Sequence, residues 1–513
     1  MAPRAKDYIK GLPYDIPSSI VVFLVALPLC LGVALASNAP LFSGIIAGIT
    51  GGIVVGLFSR SHLSVSGPAA GLTAIVGAAI LSMSSFETFL VSVVICGVFQ
   101  VIFGFLRAGV VGDYVPGSVI KGMLAAIGLI LILKQFPHLI GYDKNYEGDE
   151  SFLQYDSDNT FSGIVHAFGH ISFAAAVTGI VCLLFFFAWE KWSPKKGIWK
   201  IIPAPLLVVL SGIGINEVFK SSGSAYSIDP EHLVNLPLAS SPKEFFSFFS
   251  SPDWDQIFTK QVWVTGITLA LVASLESLLS IEAVDDLDPY QRVTPTNREL
   301  KAQGIGNIVS GLLGGLPVTS VIVRSSANVN AGARTKMSTI YHGILLLLCV
   351  ALIPHLLNLI PKAALAAVLI FTGYKLAKPA LFFSFYKKGW DQFLPFCITI
   401  AAILFSDLLT GVLIGIATGL FFVMRSNFRT AVVVVNDTNN YLFRLRKDVS
   451  FLNKPIIKKK LEEVPEFASV LIDATRADFI DKDVAETIED FKLHAPLKSI
   501  RVEVKGELKT TSS

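Results

Sequence analysis

The sequence predicts a polytopic α-helical membrane domain followed by a small α/β domain. Of the 513 residues, 52% are hydrophobic and only 16% are charged, whereas a soluble globular protein carries about 25% charged residues. Apolar runs of the roughly 20 residues that a membrane-spanning helix needs recur from about Ser18 to Arg425. From about Thr430, short strand and helix patterns alternate in a more polar sequence. We therefore assign residues 1–429 to the membrane domain and residues 430–513 to the second domain.

The membrane domain contains about fourteen apolar segments of suitable length. The first is too long and too far from the start for a secretory signal, and no small-residue cleavage site follows it. In the second domain, strands are expected over residues 431–435, 441–445, 469–473 and 500–504, and helices over 455–463 and 482–491. The approximate first residues of the apolar segments are Ser18, Leu41, Pro68, Phe86, Val115, Ile164, Ile201, Lys260, Ala302, Thr319, Thr339, Lys362, Gln392 and Thr410.

Loop charges indicate the orientation, because cytoplasmic loops of membrane proteins are enriched in Lys and Arg. If the N-terminus lies inside, an even number of crossings places all the basic loops inside and the acidic stretch from Asp143 to Asp158 outside. We therefore expect both termini in the cytoplasm. The net charge of +3 is too small to suggest a nucleic-acid partner. The basic residues of the expected inside loops are Arg60, Arg107, Lys191, Lys195, Lys196, Lys200, Arg292, Arg298, Lys301, Arg334, Lys336, Lys375, Lys378, Lys387 and Lys388.

Two apolar segments are interrupted where a helix would begin. The third opens with the sequence SVSGPAAG from Ser64, and the tenth opens with GGLPVTS from Gly314. If the chain has two halves of seven segments, each break falls in the third segment of its half. Many transporters are inverted repeats whose corresponding helices are broken near the bilayer midplane. The pattern predicts a seven-plus-seven inverted repeat with two half-helices, although each Gly-Pro pair alone could mark only a loop or a kink.

The starts of the two half-helices form a candidate anion-binding site. A helix that begins inside the membrane leaves its first N–H groups unpaired, and the helix dipole places partial positive charge there. Gly67 and Gly315 would let the backbone come close to a small ligand. The expected donors are the backbone N–H groups around Ala69, Ala70 and Gly71, and around Ser320, Val321 and Ile322.

Two charged residues lie inside the apolar segments. Glu276 is deep in the eighth segment, and Ser280 follows four residues later on the same helix face. A charge at this depth is costly and usually functional, so Glu276 could accept a proton or help to bind a sodium ion; a structural ion pair is the alternative. Arg324, just after the break in the tenth segment, would raise the positive potential of the anion site. It could also pair with Glu276, which would neutralise both charges.

The remaining sequence features are consistent with a transporter rather than an enzyme. A bend at Pro28 in the first segment would let Leu29 and Val33 form an apolar wall of the pocket, although Pro often only kinks a membrane helix. No P-loop, HExxH or GxSxG motif is present. The five cysteines all lie in apolar runs without a CxxC pair. We therefore expect no catalytic residue and no cofactor beyond a proton or sodium ion used for coupling.

The sequence resembles the SulP family of sulfate permeases, whose animal branch is solute carrier family 26. The stretches that carry the resemblance are Ser66 to Thr73, Leu275 to Ser280, and Asn297 to Lys336, which reads NRELKAQGIGNIVSGLLGGLPVTSVIVRSSANVNAGARTK. The C-terminal sequences FLNKPIIKKKLEEV and SVLIDATRADFIDKD are similar to the STAS domain that follows the membrane domain in this family. The STAS-like region here is short, which leaves its regulatory role open.

The resemblance implies an inverted repeat of core and gate subdomains, usually as a homodimer, with substrate between segments three and ten. By position it assigns Leu29, Val33, Ala69, Val321 and Ile322 to the pocket and Glu276 to the coupling ion. Some bicarbonate-transporting relatives carry Gly where this chain has Arg324, and a fixed charge there favours proton coupling or exchange over a sodium site.

The expected function is therefore secondary active transport of a small inorganic anion, sulfate or bicarbonate, across a bacterial plasma membrane. The sequence does not separate these anions from chloride or a small dicarboxylate, nor proton coupling from sodium coupling or exchange. An anion-sensing or channel-like protein of the same fold, or a nucleobase permease, remains an alternative.

Overall fold

The computed structural model describes residues 5–144, 152, 159–192, 203–221, 227–236 and 242–506. Most of the acidic stretch expected outside, including Asp149, and the basic residues Lys195, Lys196 and Lys200 lie outside the described residues. The chain divides into two compact units, Met1–Ile416 and Ala417–Ser513. The predicted domain boundary lies near the end of the helix Leu408–Ala431, whereas the division between the units falls inside that helix.

The first unit consists mainly of helices. Within the described part of the chain, eight helices are long and apolar enough to span a membrane, and several shorter apolar helices accompany them. Each predicted segment lies in or beside one of these helices, with α6 and α7 together taking the place of the sixth. The polytopic helical membrane domain is thus confirmed. In chain order the helices are α1 (Ala5–Ala36), α2 (Leu41–Phe58), α3 (Thr73–Ser82), α4 (Phe86–Phe105), α5 (Gly117–Leu139), α6 (Thr160–Phe168), α7 (Phe173–Trp192), α8 (Ala204–Ser221), α9 (Pro242–Ser247), α10 (Lys260–Leu287), α11 (Thr296–Leu313), α12 (Ile322–Asn330), α13 (Met337–Leu352), α14 (Lys362–Leu376), α15 (Pro379–Lys387), α16 (Trp390–Phe405) and α17 (Leu408–Ala431).

Two very short strands lie at the centre of this unit. Strand β1 (Ser66–Pro68) precedes α3, and strand β2 (Val318–Ser320) precedes α12. They pair antiparallel, with Ser66 opposite Ser320 and Pro68 opposite Val318. All residues of both strands are buried. The predicted half-helices therefore exist, and each begins from one strand of a two-stranded crossing that the sequence pattern did not predict.

The second unit is a four-stranded sheet with two helices, as the alternating pattern predicts. The sheet order is β3-β4-β5-β6, in which β3 and β4 are antiparallel and the other pairs are parallel. Alternate residues of the strands bury Val, Ile and Leu side chains against the two helices. The elements are β3 (Val432–Asp437), β4 (Asn440–Val449), α18 (Lys454–Glu462), β5 (Ser469–Ile480), α19 (Lys482–His494) and β6 (Arg501–Lys505).

A buried carboxylate joins the end of α5 to the segment that precedes α9. Asp143 Oδ1 lies 2.5 Å from Nδ1 of His138, in the last turn of α5. Asp143 Oδ2 lies 2.6 Å from Nδ1 of His232. The segment that carries His232 is hydrogen-bonded to the residues before α14, because the Val234 N–H donates to the carbonyl of Ile360. These three side chains form a His–Asp–His clamp between parts of the unit that are distant in sequence.

The clamp shifts two pKa values in opposite directions. Burial alone would raise the pKa of Asp143, but hydrogen bonds from His138 and His232 outweigh it and hold this pKa well below the ordinary 3.8. The hydrogen bond to Asp143 raises the pKa of His232 above the ordinary 6.5. The Asp143 contribution to stability is present above pH 3.8 and lost as the pH falls through the folded pKa. The His232 contribution is present below pH 6.5 and lost as the pH rises through its folded pKa.

Asp143→Asn is therefore expected to destabilise the protein more at mildly acidic than at alkaline pH. Charge-assisted hydrogen bonds contribute about 1.5–3 kcal/mol each, and the His232 part is largest while its imidazole is protonated. Thermal unfolding of the purified protein at about pH 5.5 and about pH 8.5 measures the difference. The exposed Asp391→Asn at the start of α16 is the matched control. An equal loss for Asp143→Asn at both pH values would contradict the clamp.

Candidate functional site

The crossing of β1 and β2 brings the starts of both half-helices into one place. Ala69 is extended after β1, a single 3₁₀ turn over Ala70–Leu72 follows, and α3 begins at Thr73. On the other side Val321 is extended after β2, and α12 begins at Ile322. Neither start has a side-chain cap. The positive ends of two helix dipoles therefore meet near the middle of the first unit.

Some of the predicted anion donors are already used within the protein. The Val321 N–H donates to the carbonyl of Val65 at 2.9 Å, and the Ser320 N–H donates to the Ser277 hydroxyl at 3.3 Å. Both belong to the strand crossing, which the sequence reasoning did not include. These two groups must be removed from the set of anion donors in this state. The roles of Ala69, Ala70, Gly71 and Ile322 as donors stay predictions.

The predicted pocket residues belong to two apolar clusters of the first unit. Leu29, Val321 and Ile322 pack into one apolar cluster. Val33, Ala69 and Ala70 pack into another. Helix α1 is helical throughout Ala5–Ala36 despite Pro28, and it packs against both α3 and α12. Gly71 is exposed while Ala70 and Val321 are half-buried, so the α3 start is accessible at Gly71.

Glu276 lies beside the start of α3. Helix α10 carries it and packs against both β2 and the 3₁₀ turn before α3. A Cβ built on Gly71 would lie 3.1 Å from Glu276 Oε1 and 3.3 Å from Oε2. The missing side chain of Gly71 thus lets the carboxylate approach the positive end of the half-helix. Ser280, one turn later on α10, is buried.

Arg324 is directed onto β1 and not toward Glu276. It is 1% exposed, and a Cβ built on Gly67 would overlap its Nη1 atom. A Cβ on Gly48 of α2 would lie 3.9 Å from the same nitrogen. Within the described residues Arg324 makes no ion pair with a carboxylate. The alternative that Arg324 pairs with Glu276 is therefore not realised among the described residues, because the guanidinium lies at Gly67 and the carboxylate lies at Gly71.

The two glycines expected to admit a ligand instead admit side chains of the protein. Gly67 makes room for the Arg324 guanidinium, and a Cβ on Gly315 would overlap Ser310 Oγ. Both glycines are required for close approach, but the approaching groups belong to α12 and α11. This interpretation replaces the expectation that Gly67 and Gly315 contact a ligand directly.

The charge of Arg324 retains unused hydrogen-bonding capacity. Its Nε and Nη1 atoms have no hydrogen-bond partner within the described residues. His342 of α13 is fully buried, and neither of its ring nitrogens has a hydrogen-bond partner among the described residues. The side chains of His342 and Arg324 interact electrostatically. A buried polar group without a partner is costly, so a ligand or water that reached these atoms would gain hydrogen bonds. The only sequence signal for His342 is a lone His in an apolar segment.

Sequence reasoning also missed a polar face of α11. Glu299, Gln303 and Asn307 are spaced by four residues and are fully buried. Asn307 holds β2, because its Oδ1 accepts from the Val318 N–H at 2.5 Å while its Nδ2 donates to the Val318 carbonyl at 2.9 Å. Gln303 Nε2 donates to Ser66 Oγ of β1 at 2.7 Å. The sequence signal for this face is the four-residue spacing of its polar residues, which is typical of one face of a helix. It was not recognised because the basic residues beside Glu299 suggested a cytoplasmic loop.

The sequence model of the sulfate permease family matches residues 12–402, which include both half-helices and the helices around them. The chain belongs to this family. It is therefore an integral membrane protein of a family of transporters, not enzymes.

Relatives with similar sequences span most of the chain. The putative sulfate transporter YvdB of Bacillus subtilis is 27% identical over 84% of this chain and 77% of its own length. The bicarbonate transporter BicA of Picosynechococcus is 23% identical over 81% of this chain and 70% of its own length. The sodium-independent sulfate anion transporter of Bos taurus is 24% identical over 96% of this chain and 84% of its own length.

Solved structures share the fold. The transmembrane domain of the cyanobacterial bicarbonate transporter BicA has a TM-score of 0.53 and 21% identity, covering 80% of this chain and 98% of that chain. The structure of SLC26A9 has a TM-score of 0.66 and 16% identity, covering 98% of this chain and 85% of that chain. At these identities the likeness concerns the fold alone. The sheet at the C-terminus is compatible with the STAS-like domain that the sequence indicated.

Proposed function

We propose that the protein is a secondary active transporter that binds a small inorganic anion, sulfate or bicarbonate, between the starts of α3 and α12. The observation that carries the proposal is the crossing of β1 and β2, which holds two helix N-termini beside an accessible Gly71. Two helix ends and the guanidinium of Arg324 give this space a positive potential. Leu29 and Val33 of α1 provide its apolar wall.

Alternating access would move the helices that carry the site past the rest of the membrane domain. A site built half from α3 and half from α12 is sensitive to such a movement, because both helix ends must be present for full charge compensation. We expect the protein to act in a bacterial plasma membrane with both termini in the cytoplasm, and as a homodimer. The anion, the lipid bilayer and a second copy of the chain are the expected partners.

Glu276 is the proposed coupling residue. Its carboxylate lies within reach of the α3 start, at Gly71, so an ionised Glu276 and the anion compete for the same positive helix end. A proton on Glu276 would remove this repulsion and let the anion and proton bind together. A sodium ion beside Glu276 and Ser280 would act in the same way. Arg324 adds a fixed positive charge to the site, which favours the proton over sodium.

Uptake into liposomes that contain the purified protein tests this function. Labelled sulfate, bicarbonate and chloride are offered separately, each with and without an imposed proton or sodium gradient. We expect saturable uptake of sulfate or bicarbonate that an inward proton gradient stimulates. Uptake that follows only the anion's own gradient without saturation would indicate a channel-like protein, and preferential uptake of a nucleobase would indicate a different substrate class.

A pair of glycine variants separates the proposed site from general damage to the fold. Gly71→Leu places a side chain where the Glu276 carboxylate and the anion are expected, and should reduce uptake at least tenfold, about 1.4 kcal/mol in binding. Gly117→Leu, at the start of α5, replaces an exposed glycine at which an added Cβ meets no atom within 4 Å, and it should leave uptake unchanged. Equal uptake by both variants would place the anion elsewhere.

A further inference from the structure

A further carboxylate lies fully buried on α11, close to the strand crossing. Glu299 of α11 is 1% exposed. Its Oε2 accepts a hydrogen bond from the Ser59 hydroxyl, just after α2. Its Oε1 accepts from Gln303 Nε2 at 2.9 Å. Both of these hydrogen-bond partners of the carboxylate are neutral donors, so nothing in these contacts cancels a negative charge.

The nearby cations are engaged elsewhere. Lys336 interacts electrostatically with Glu299, but its Nζ donates to the carbonyls of Leu57 and Ser59 at 2.8 and 3.1 Å. On α11 itself, Arg298 donates to the Phe58 carbonyl, and Lys301 lies over the ring of Phe105. In the part of the chain that the structure describes, Glu299 forms no ion pair. A buried charge without a counter-charge is costly, and the usual response is to bind a proton.

The other charged groups near Glu299 are few. Asp285 near the end of α10 interacts with Glu299 electrostatically. Exposed Arg60 follows Ser59 in the chain, and its electrostatic interaction is with Lys336. Helix α2 carries no ionisable side chain, and β1 carries none. Helix α4, which packs along α11, carries only Glu87 at its far, exposed start. Asp285 adds a negative charge, which makes an ionised Glu299 still less favourable.

A continuous set of hydrogen bonds connects Glu299 to the strand crossing. The Gln303 Nε2 group donates to Glu299 Oε1 at 2.9 Å and to Ser66 Oγ at 2.7 Å. Ser66 is the β1 residue paired with Ser320 of β2. Gln303 Oε1 is buried and has no hydrogen-bond partner among the described residues. A proton on Glu299 would supply a donor for this oxygen if the amide turned over, and the Nε2 donor would then leave Ser66.

We propose that Glu299 binds and releases a proton in step with anion binding at the β1–β2 crossing, as a positioning residue that acts through Gln303 and Ser66. The inference rests on the proposed function and adds a second protonation site to Glu276. The proton reaches the Glu299 carboxylate from the side of Ser59 and exposed Arg60, without any bond to the anion. By electrostatics an anion at the crossing favours the protonated form, so the anion binds more tightly as the pH falls.

Infrared difference spectroscopy of the full-length purified protein tests the protonation directly. A protonated carboxylic acid has a carbonyl stretch that an ionised carboxylate lacks. We expect a band that titrates with pH in the wild type, disappears in Glu299→Gln, and persists in the control Glu87→Gln. Addition of sulfate should increase this band. A band that survives unchanged in Glu299→Gln would overturn the proposal.

Two further variants keep the test decisive if Glu299→Gln does not fold. Ser59→Ala removes the hydrogen bond to Glu299 Oε2 and should shift the band, whereas Gln303→Leu should leave the band titrating but stop its response to sulfate. An unshifted band in Ser59→Ala would show that another carboxyl group produces it. A full sulfate response in Gln303→Leu would show that Glu299 does not communicate with the crossing through this amide.

Sulfate binding supplies the second measurement. In a Glu276→Gln background, sulfate affinity should still rise roughly forty- to a hundredfold between alkaline and acidic limits, as for one unit charge and a divalent anion roughly 12–15 Å apart in a medium of effective dielectric constant about 20. Adding Glu299→Gln should remove this dependence, and its persistence would contradict the proposal. If the wild type bound no anion at any pH, the proposed function would fail, while the infrared titration would still decide the protonation of Glu299.

Discussion

Arg324→Ala should weaken binding of a divalent anion about ten- to a hundredfold, corresponding to a lost charge-assisted interaction of about 1.5–3 kcal/mol. Each half-helix start offers only about half an elementary charge. A monovalent anion is nearly compensated by α3 and α12 alone, whereas sulfate needs the guanidinium as well. The variant should therefore affect bicarbonate and chloride much less than sulfate. Anion binding to purified variants at fixed ionic strength measures the difference.

Further variants distinguish charge selection from packing. Arg324→Lys should restore only part of the sulfate affinity, because the ammonium is a point charge without the planar fork of the guanidinium. Arg334→Ala removes an arginine that stacks on Tyr14 and should leave anion selectivity unchanged. Equal weakening of sulfate and bicarbonate by Arg324→Ala would show that the guanidinium, packed on Gly67, supports the fold without selecting charge.

Glu276→Gln should abolish stimulation of uptake by a proton or sodium gradient while anion binding is retained. Glutamine has nearly the shape of the carboxylic acid but cannot gain or lose the proton. At Gly71 the neutral amide no longer repels the anion from the α3 start, so binding should become less dependent on pH. Initial uptake rates into liposomes with and without each gradient provide the measurement.

Glu282→Gln is the matched control for this substitution on the same helix. Glu282 lies nearly two turns after Glu276 and on another face of α10, so the control should keep the response to a gradient. Gradient dependence that is unchanged in Glu276→Gln would refute its role in coupling. Loss of all anion binding in that variant would instead indicate that the carboxylate is needed to build the site.

The positions of the breaks in the membrane helices could be predicted from the sequence because Gly and Pro mark them locally. The strands of the second unit were equally visible, because short β-branched and apolar runs such as residues 432–435 and 470–472 are typical of strands. The pairing of β1 with β2 was not visible. Strands of three residues carry too little periodicity, and their partners are far apart in the chain.

The directions of the side chains at the site also could not be predicted from the sequence. The sequence put Glu276 in the eighth segment and Arg324 just after the break in the tenth, but whether they pair depends on how α10 and α12 rotate against β1. The polar face that includes Glu299 was missed because Arg298 and Lys301 flank it. In the structure those basic side chains bind a carbonyl oxygen and cover an aromatic ring, while the carboxylate between them turns inward.

The pairing of Pro68 with Val318 has a consequence for how the protein is made. When β1 and α3 enter the membrane during synthesis, the strand that satisfies the β1 backbone is still about 250 residues from being translated. At about 5–20 residues per second, the ribosome needs roughly 12–50 seconds to supply it. Unpaired backbone is not tolerated in contact with lipid. The nascent N-terminal half must therefore keep β1 sheltered by protein, water or the insertion machinery until its complement arrives.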